Sequence, residues 1–207
     1  MRHDTIAGSA GSTKSCVRTL RREELPLLRD HLLRLDGASR RDRFHGFIDD
    51  GFIERYAKKC ANDGTVIVAY LRDGAVRGAA ELHPPEQSPD SQPEIAFSVE
   101  TSVRRCGVGS TLFSYLIEEA RAKGYRSLRI TTGAQNDAMR ALAQKFGAHL
   151  TFRHGESSGT IDLGKQHQPE LASPAFASAI GVARAITDFN RAYWRMLLRM
   201  YGWKRAA

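Results

Sequence analysis

The stretch Glu94-Ile-Ala-Phe-Ser-Val-Glu-Thr-Ser-Val-Arg104-Arg-Cys-Gly107-Val-Gly109-Ser-Thr-Leu-Phe-Ser-Tyr-Leu-Ile-Glu-Glu-Ala-Arg-Ala-Lys123 changes its apolar period halfway along. Ile95, Phe97 and Val99 alternate with Glu94, Ala96, Ser98 and Glu100, which predicts a strand with one apolar face. Beyond Gly109, Leu112, Leu116, Ile117 and Ala120 recur at steps of one, three and four, which predicts a helix with one buried side. Between the two lies Arg104-Arg105-Cys106-Gly107-Val108-Gly109. Two glycines there let a backbone approach a ligand with no Cβ in the way. The first amides of the helix lack intrahelical partners and sit at the positive end of its dipole. Residues Arg105 to Ser110 therefore form a cradle suited to an anion such as a pyrophosphate.

Working outward, the N-terminal side predicts a strand over Cys16 to Leu20 and a helix over Glu23 to Leu35, with Pro26 in its first turn, where a missing amide is harmless. Residues 37–60 place Arg40, Arg41 and Arg43 in a turn near Phe44, Phe47, Phe52 and Tyr56. Thr65 to Tyr70 and Ala75 to His83 read as a hairpin turned by Asp73-Gly74. On the C-terminal side the order is a strand at Ser127 to Thr131, a helix at Asp137 to Phe146, and strands at His149 to Arg153 and Thr160 to Leu163. The fold class implied is α/β, a mixed sheet flanked by helices on both faces.

Known phosphate motifs do not fit this cradle: neither G-x-G-x-x-G nor G-x-x-x-x-G-K-[ST] is present in it. Arg104-x-x-Gly107-x-Gly109, five residues after Val99, instead resembles the acetyl-CoA motif of the GNAT superfamily of N-acetyltransferases. Downstream, Asn136-Asp-Ala-Met-Arg-Ala-Leu-Ala-Gln-Lys-Phe-Gly147-Ala148 resembles that family's second motif, usually N-x-x-A-x-x-L-Y-x-K-x-G-F. The resemblance covers roughly residues 16–165. It implies a GNAT-like sheet, acetyl-CoA as acyl donor, and transfer of the acetyl group to a primary amine. It further implies cofactor contacts from the main chain of Phe97, Ser98 and Val99, from Arg104, Arg105, Cys106, Gly107, Val108, Gly109 and Ser110, and from Asn136. A backbone amide near Val99 would then stabilise the oxyanion.

An amine with a pKa of about 10.4 is neutral in only a few molecules per ten thousand at pH 7, so a base is needed. The resemblance points to Glu94. Glu81 and His83, on one face of the neighbouring strand, are the alternatives, and Glu94 as a plain solvent-facing strand residue is the plainer reading. One departure stands out: the family often has a Tyr that protonates the leaving thiolate, and this chain has Ala143. A non-catalytic acyl-CoA sensor is therefore a rival reading.

Within 207 residues, Lys plus Arg number 31 and Asp plus Glu 23, a net charge of +8. That excess favours anionic partners. A nucleic-acid-binding module is the rival from another class, but no such motif accompanies the basic excess. Cys16, Cys60 and Cys106 are scattered, which predicts neither disulfides nor a metal site. No apolar run reaches about 18 residues, so a soluble, cytoplasmic protein is expected. Residues 1–14 read as a disordered arm, 15–165 as the acetyltransferase domain, and 166–207 as a linker and helical tail. The tail's stripe from Ile186 to Met200, backed by Arg191, Arg195 and Arg199, predicts docking on the domain or on a second copy, with peripheral contact to an anionic membrane as the alternative.

Overall fold

The computed structural model describes residues 14–86, 91–153 and 155–164. The expected arm (apart from Lys14), linker and C-terminal helical tail lie outside the described residues. Strand β1, Ser15–Thr19, is followed by a 3-10 turn, Arg22–Glu24, and by helices α1, Leu25–Arg34, α2, Gly37–Phe44, and α3, Asp50–Asn62. Strands β2, Val66–Arg72, and β3, Ala75–His83, form the expected hairpin, with Asp73 and Gly74 at φ 53° and 78°. Then come β4, Glu94–Val99, helix α4, Val108–Ala122, β5, Ser127–Gly133, α5, Asp137–Lys145, β6, His149–Arg153, and β7, Glu156–Asp162.

The seven strands form one sheet in the order β1-β2-β3-β4-β5-β7-β6, antiparallel throughout except where β5 runs parallel to β4. That parallel step follows from the α4 crossover. Helices cover both faces. On one, α4 and α5 enclose the larger core, in which Leu112, Phe113, Leu116 and Phe146 meet Leu82, Ile95, Leu128 and Ile130. On the other, Leu25, Leu28 and Leu32 of α1 and Ile53 of α3 pack on Ile67, Ala69, Val76 and Ala79. The alternation read from the sequence sends Ile95 and Phe97 to the α4 face.

Two local readings need correction. The Arg-rich stretch is a helix, not a turn: Asp36 caps it by accepting from the Ser39 N–H at 2.7 Å, and His45 ends it at φ 57°. The last strand begins at Glu156 rather than Thr160, because β5 and β6 flank it and pair with its polar Ser157, Ser158 and Gly159.

The cleft-side core rests on a stack of three rings. Phe113 lies 4.8 Å from Phe97 and 4.2 Å from Phe146, nearly parallel to both. Phe113→Ala removes the middle ring, and the expected loss is about 3–5 kcal/mol. Urea denaturation checks it; a loss below about 1 kcal/mol would show that the stack carries little.

Candidate functional site

The site begins with a parting of strands. β4 and β5 pair only at Glu94 with Arg129 and at Ile95 with Ile130. The Arg129 N–H donates to Pro93 O at 2.8 Å, so alternate residues after it, Ile95, Phe97 and Val99, aim their main-chain groups to the same side. From Phe97 onward that side opens into a gap, and a cleft of about 360 Å³ occupies it. Its walls are Phe97, Ser98 and Val99 of β4, the loop and first turn of α4, Met139 and Leu142 of α5, and Ser39, Asp42 and Arg43 of α2.

The loop reaches the helix through two left-handed residues, Arg105 at φ 62° and Gly107 at φ 79°. The Thr111 N–H closes the first helical turn on Gly107 O at 3.0 Å. The preceding amides have no carbonyl within the helix to serve and point out of its N-terminus. Gly109 is not conformationally special. A Cβ there would instead stand 3.3 Å from Leu142 Cδ2, at the cleft wall. Arg104 lines the cleft, yet its guanidinium donates to Val99 O at 2.9 Å and Ser39 Oγ at 2.6 Å, tying the loop to β4 and α2. Lys145 donates to Ser110 Oγ at 3.2 Å and adds a cation beside the helix end. Asn136 lines the cleft and caps α5 by accepting from Met139 N–H at 3.0 Å. Cys106 departs from the expectation: it is absent from the cleft wall, and its exposed thiol turns to Arg104 O at 3.4 Å.

Glu94 and His83 face each other across β4 and β3, and Glu81 is opposite Ala96. Glu94 is half-buried at the start of β4. Glu81 is fully buried, 2.9 Å from the Arg43 guanidinium, and its Oε2 accepts from the Tyr56 hydroxyl at 2.5 Å. Burial pushes the Glu81 carboxyl up, but Arg43, His83 and Tyr56 together hold it well below the usual carboxylate range. A carboxylate so stabilised is a poor proton acceptor. Burial and Glu81 also push Tyr56 well above its ordinary value, so this phenol stays protonated. His83 bonds Tyr56 through Nε2 and Thr65 through Nδ1, each at 3.1 Å. This cluster seats α2 and α3 on the sheet beside the cleft, and no periodicity could have revealed it.

The sequence reading also missed the partner of Ser98. This residue points to the α1 face, where its hydroxyl meets the fully buried His31 at 2.9 Å. Ala143, where the family motif has Tyr, is buried in the core against α4 and β5. Among the described residues no group of three His, Cys, Asp or Glu side chains is arranged to hold a metal ion, and no helix is long and apolar enough to cross a membrane.

Residues 32–148 match the profile of the Acetyltransferase (GNAT) family. Among solved structures, the GNAT domain of S. lividans PAT superposes with a TM-score of 0.61 at 19% identity, over 72% of this chain and 90% of that one. An N-acetyltransferase from Staphylococcus aureus Mu50 gives 0.55 at 22% identity, over 72% and 99%. yncA, a putative acetyltransferase from Salmonella typhimurium solved with its cofactor acetyl-CoA, gives 0.55 at 17%, over 75% and 98%. At these identities the superpositions show the fold.

The buried cluster makes a pH-dependent prediction. Glu81 has a lowered folded pKa, so its contribution to stability is present above its unfolded value of about 4.3 and is lost as pH falls through the range below it. Arg43→Met leaves the carboxylate buried beside Tyr56 and His83 without its main counter-charge, at an expected cost of about 3–5 kcal/mol near pH 7. The folded pKa of Glu81 then rises above the unfolded value, so the deficit relative to wild type should shrink as pH falls towards about 4. Urea titrations across that range check it; a deficit independent of pH would mean that the ion pair is not its source.

Proposed function

From membership of the Acetyltransferase (GNAT) family, to which this chain belongs, we propose an acetyl-CoA-dependent N-acetyltransferase acting on a primary amine. The observation that carries the reading is the gap between β4 and β5 with the N-terminus of α4 at its mouth. An acyl-CoA is a long, polar arm ending in phosphates, and this cleft offers both parts a match. Strand-edge amides and carbonyls of Phe97 and Val99 suit the amide-bearing arm. The amides of Val108, Gly109 and Ser110, with Arg105 and Lys145 close by, suit the pyrophosphate. yncA, which shares the fold, was solved with acetyl-CoA.

Transfer then needs a neutral amine at the thioester. Glu94 is the proposed base. It stands at the start of β4, just before the strands part, and among the described residues no arginine is ion-paired with its carboxylate as Arg43 is with that of Glu81. An N–H of β4 facing the gap would hold the oxyanion, and positioning two reactants together supplies roughly 7–11 kcal/mol of the barrier lowering. The second reading is a non-catalytic acyl-CoA sensor, favoured by the absence of a hydroxyl at Ala143.

Two measurements test these roles. In calorimetry acetyl-CoA should bind wild type, and Gly109→Val should weaken binding at least about tenfold by pressing on Leu142 and the cleft; equal affinity would remove the cradle assignment. With purified protein and a panel of amines, Glu94→Gln should slow CoA release about a hundredfold with acetyl-CoA affinity unchanged. Binding without turnover on any amine would select the sensor.

A further inference from the structure

Three buried or nearly buried side chains form a chain that ends at the cleft. Glu100 Oε1 lies 3.1 Å from His31 Nδ1, and His31 Nε2 lies 2.9 Å from Ser98 Oγ. Ser98 is part of the cleft wall. His31 is 0% exposed, an expensive place for an imidazole unless both ring nitrogens are bonded, and both are. A carboxylate can only accept, so Nδ1 carries a hydrogen. In the neutral ring Nε2 is then the acceptor, and the Ser98 hydroxyl donates to it. Arg34 Nε at 3.0 Å and Arg77 Nη1 at 2.8 Å also hold the Glu100 carboxylate. Burial pushes that carboxyl up, but His31, Arg77 and Arg34 outweigh it and keep it ionised, at about 2.

We infer that Ser98, backed by His31 and Glu100, carries a proton from the attacking amine to the departing thiolate, a role for which Ala143 has no hydroxyl. The inference rests on the acetyl-transfer reading above. A neutral amine attacks the thioester carbon, and its nitrogen becomes positively charged as the carbonyl oxygen becomes an oxyanion. That nitrogen gives a proton to Ser98 Oγ while the Ser98 hydroxyl proton passes to His31 Nε2. The resulting imidazolium is stabilised by Glu100. As the oxyanion re-forms the carbonyl, the C–S bond breaks with its electron pair on sulfur. The sulfur takes the Ser98 proton, and His31 returns its own to Ser98. The products are amide and free thiol, and the relay ends as it began. The serine is a conduit here and forms no bond to carbon. This logic, with one imidazole first accepting from the nucleophile and then donating to the leaving group, is that of hydrolytic triads. His31 acts through Ser98 and is a positioning residue in that sense.

A merely structural role is the competing account, since the chain also fastens α1 to β4. The experiment therefore measures binding, stability and rate in parallel. Acetyl-CoA affinity is measured by calorimetry and stability by urea midpoint. CoA release is followed with hydroxylamine, an amine mostly uncharged near neutral pH that does not call on Glu94, and with a panel of primary amines. Ser98→Ala should lower the catalysed rate about a hundredfold while acetyl-CoA affinity stays within about twofold. Ser98→Thr keeps the hydroxyl and should recover most of the rate. His31→Gln should match Ser98→Ala, and the serine pair decides the matter if His31→Gln does not fold. Equal rates for wild type and Ser98→Ala overturn the relay, whatever happens to stability. So do equally low rates for the Ala and Thr variants, or acetyl-CoA binding without release by any amine. Failure of wild type to bind acetyl-CoA overturns the donor assignment instead, a result that calorimetry separates from the others.

Discussion

The parting of β4 from β5 is the constraint on which the rest of the molecule turns. Parallel neighbours ordinarily pair along their length, and leaving strand-edge groups unpaired costs free energy unless water or a ligand serves them. Here the pairing stops after two residues, and the structure on either side holds the strands apart. On one face α4 and α5 wedge the gap with the Phe97, Phe113 and Phe146 stack. On the other, α2 lies against β4 and β5 across the mouth, anchored by Arg43 to Glu81 and by Ser39 to Arg104. β7 returns between β5 and β6, pairing β5 on its far side over seven residues. The gap is thus a built feature, supported from three directions.

Both faces of the sheet carry an apolar core, but beside the cleft they are held in different ways. The α4 face is an apolar core whose contacts are non-directional and tolerant of small shifts. The α1 and α2 side near the cleft depends instead on buried ionic and hydrogen-bonded groups: Arg43, Glu81, Tyr56 and His83 in one cluster, and His31, Glu100, Arg34 and Arg77 in another. Burying a charge is costly, and a well-packed apolar substitute would often be as stable. Such groups do fix direction, because a hydrogen bond has one geometry and a methyl contact has many. Directional contacts are concentrated on the side of the cleft where the proposed transfer would place its reacting atoms, and apolar ones behind α4.

Much of this architecture is legible in the residues. The change of period at Gly109 marks strand, turn and helix, and Asp73-Gly74 marks its hairpin, because those signals are local. The turn into α4 is equally local: Gly107 declares its left-handed backbone by having no Cβ. What the sequence conceals is long-range. Glu81 looks like any polar residue on an alternating strand until Arg43, 38 positions earlier, turns inward from a helix whose composition reads as a solvated loop. The first residues of β7, Glu156 to Gly159, are too polar and too flexible to announce a strand. Their place is fixed by neighbours on both sides, one of which approaches so closely that a Cβ on Gly159 would lie 2.1 Å from His149 O. His31 falls on the apolar side of α1 among leucines, where a lone histidine gives no sign of its partner on β4.

Ala143 is the residue where chemistry and packing meet. At that position α5 contributes to the core that also holds Phe113 and Phe146, and the alanine is fully buried. With an alanine there, the proton for the leaving group in the proposed transfer has to come from another residue. The α5 wall offers Met139 and Leu142, which have none to give. The α2 wall offers Asp42, Ser39, whose hydroxyl oxygen is held by Arg104, and Arg43, whose guanidinium is paired with Glu81 and Tyr56. On β4, Phe97 and Val99 present a ring and a methyl pair, whereas Ser98 carries a hydroxyl with an imidazole behind it. Of the cleft-lining residues on those three walls, Ser98 joins a transferable proton to a buried means of replacing it, and it does so from the strand whose separation creates the cleft.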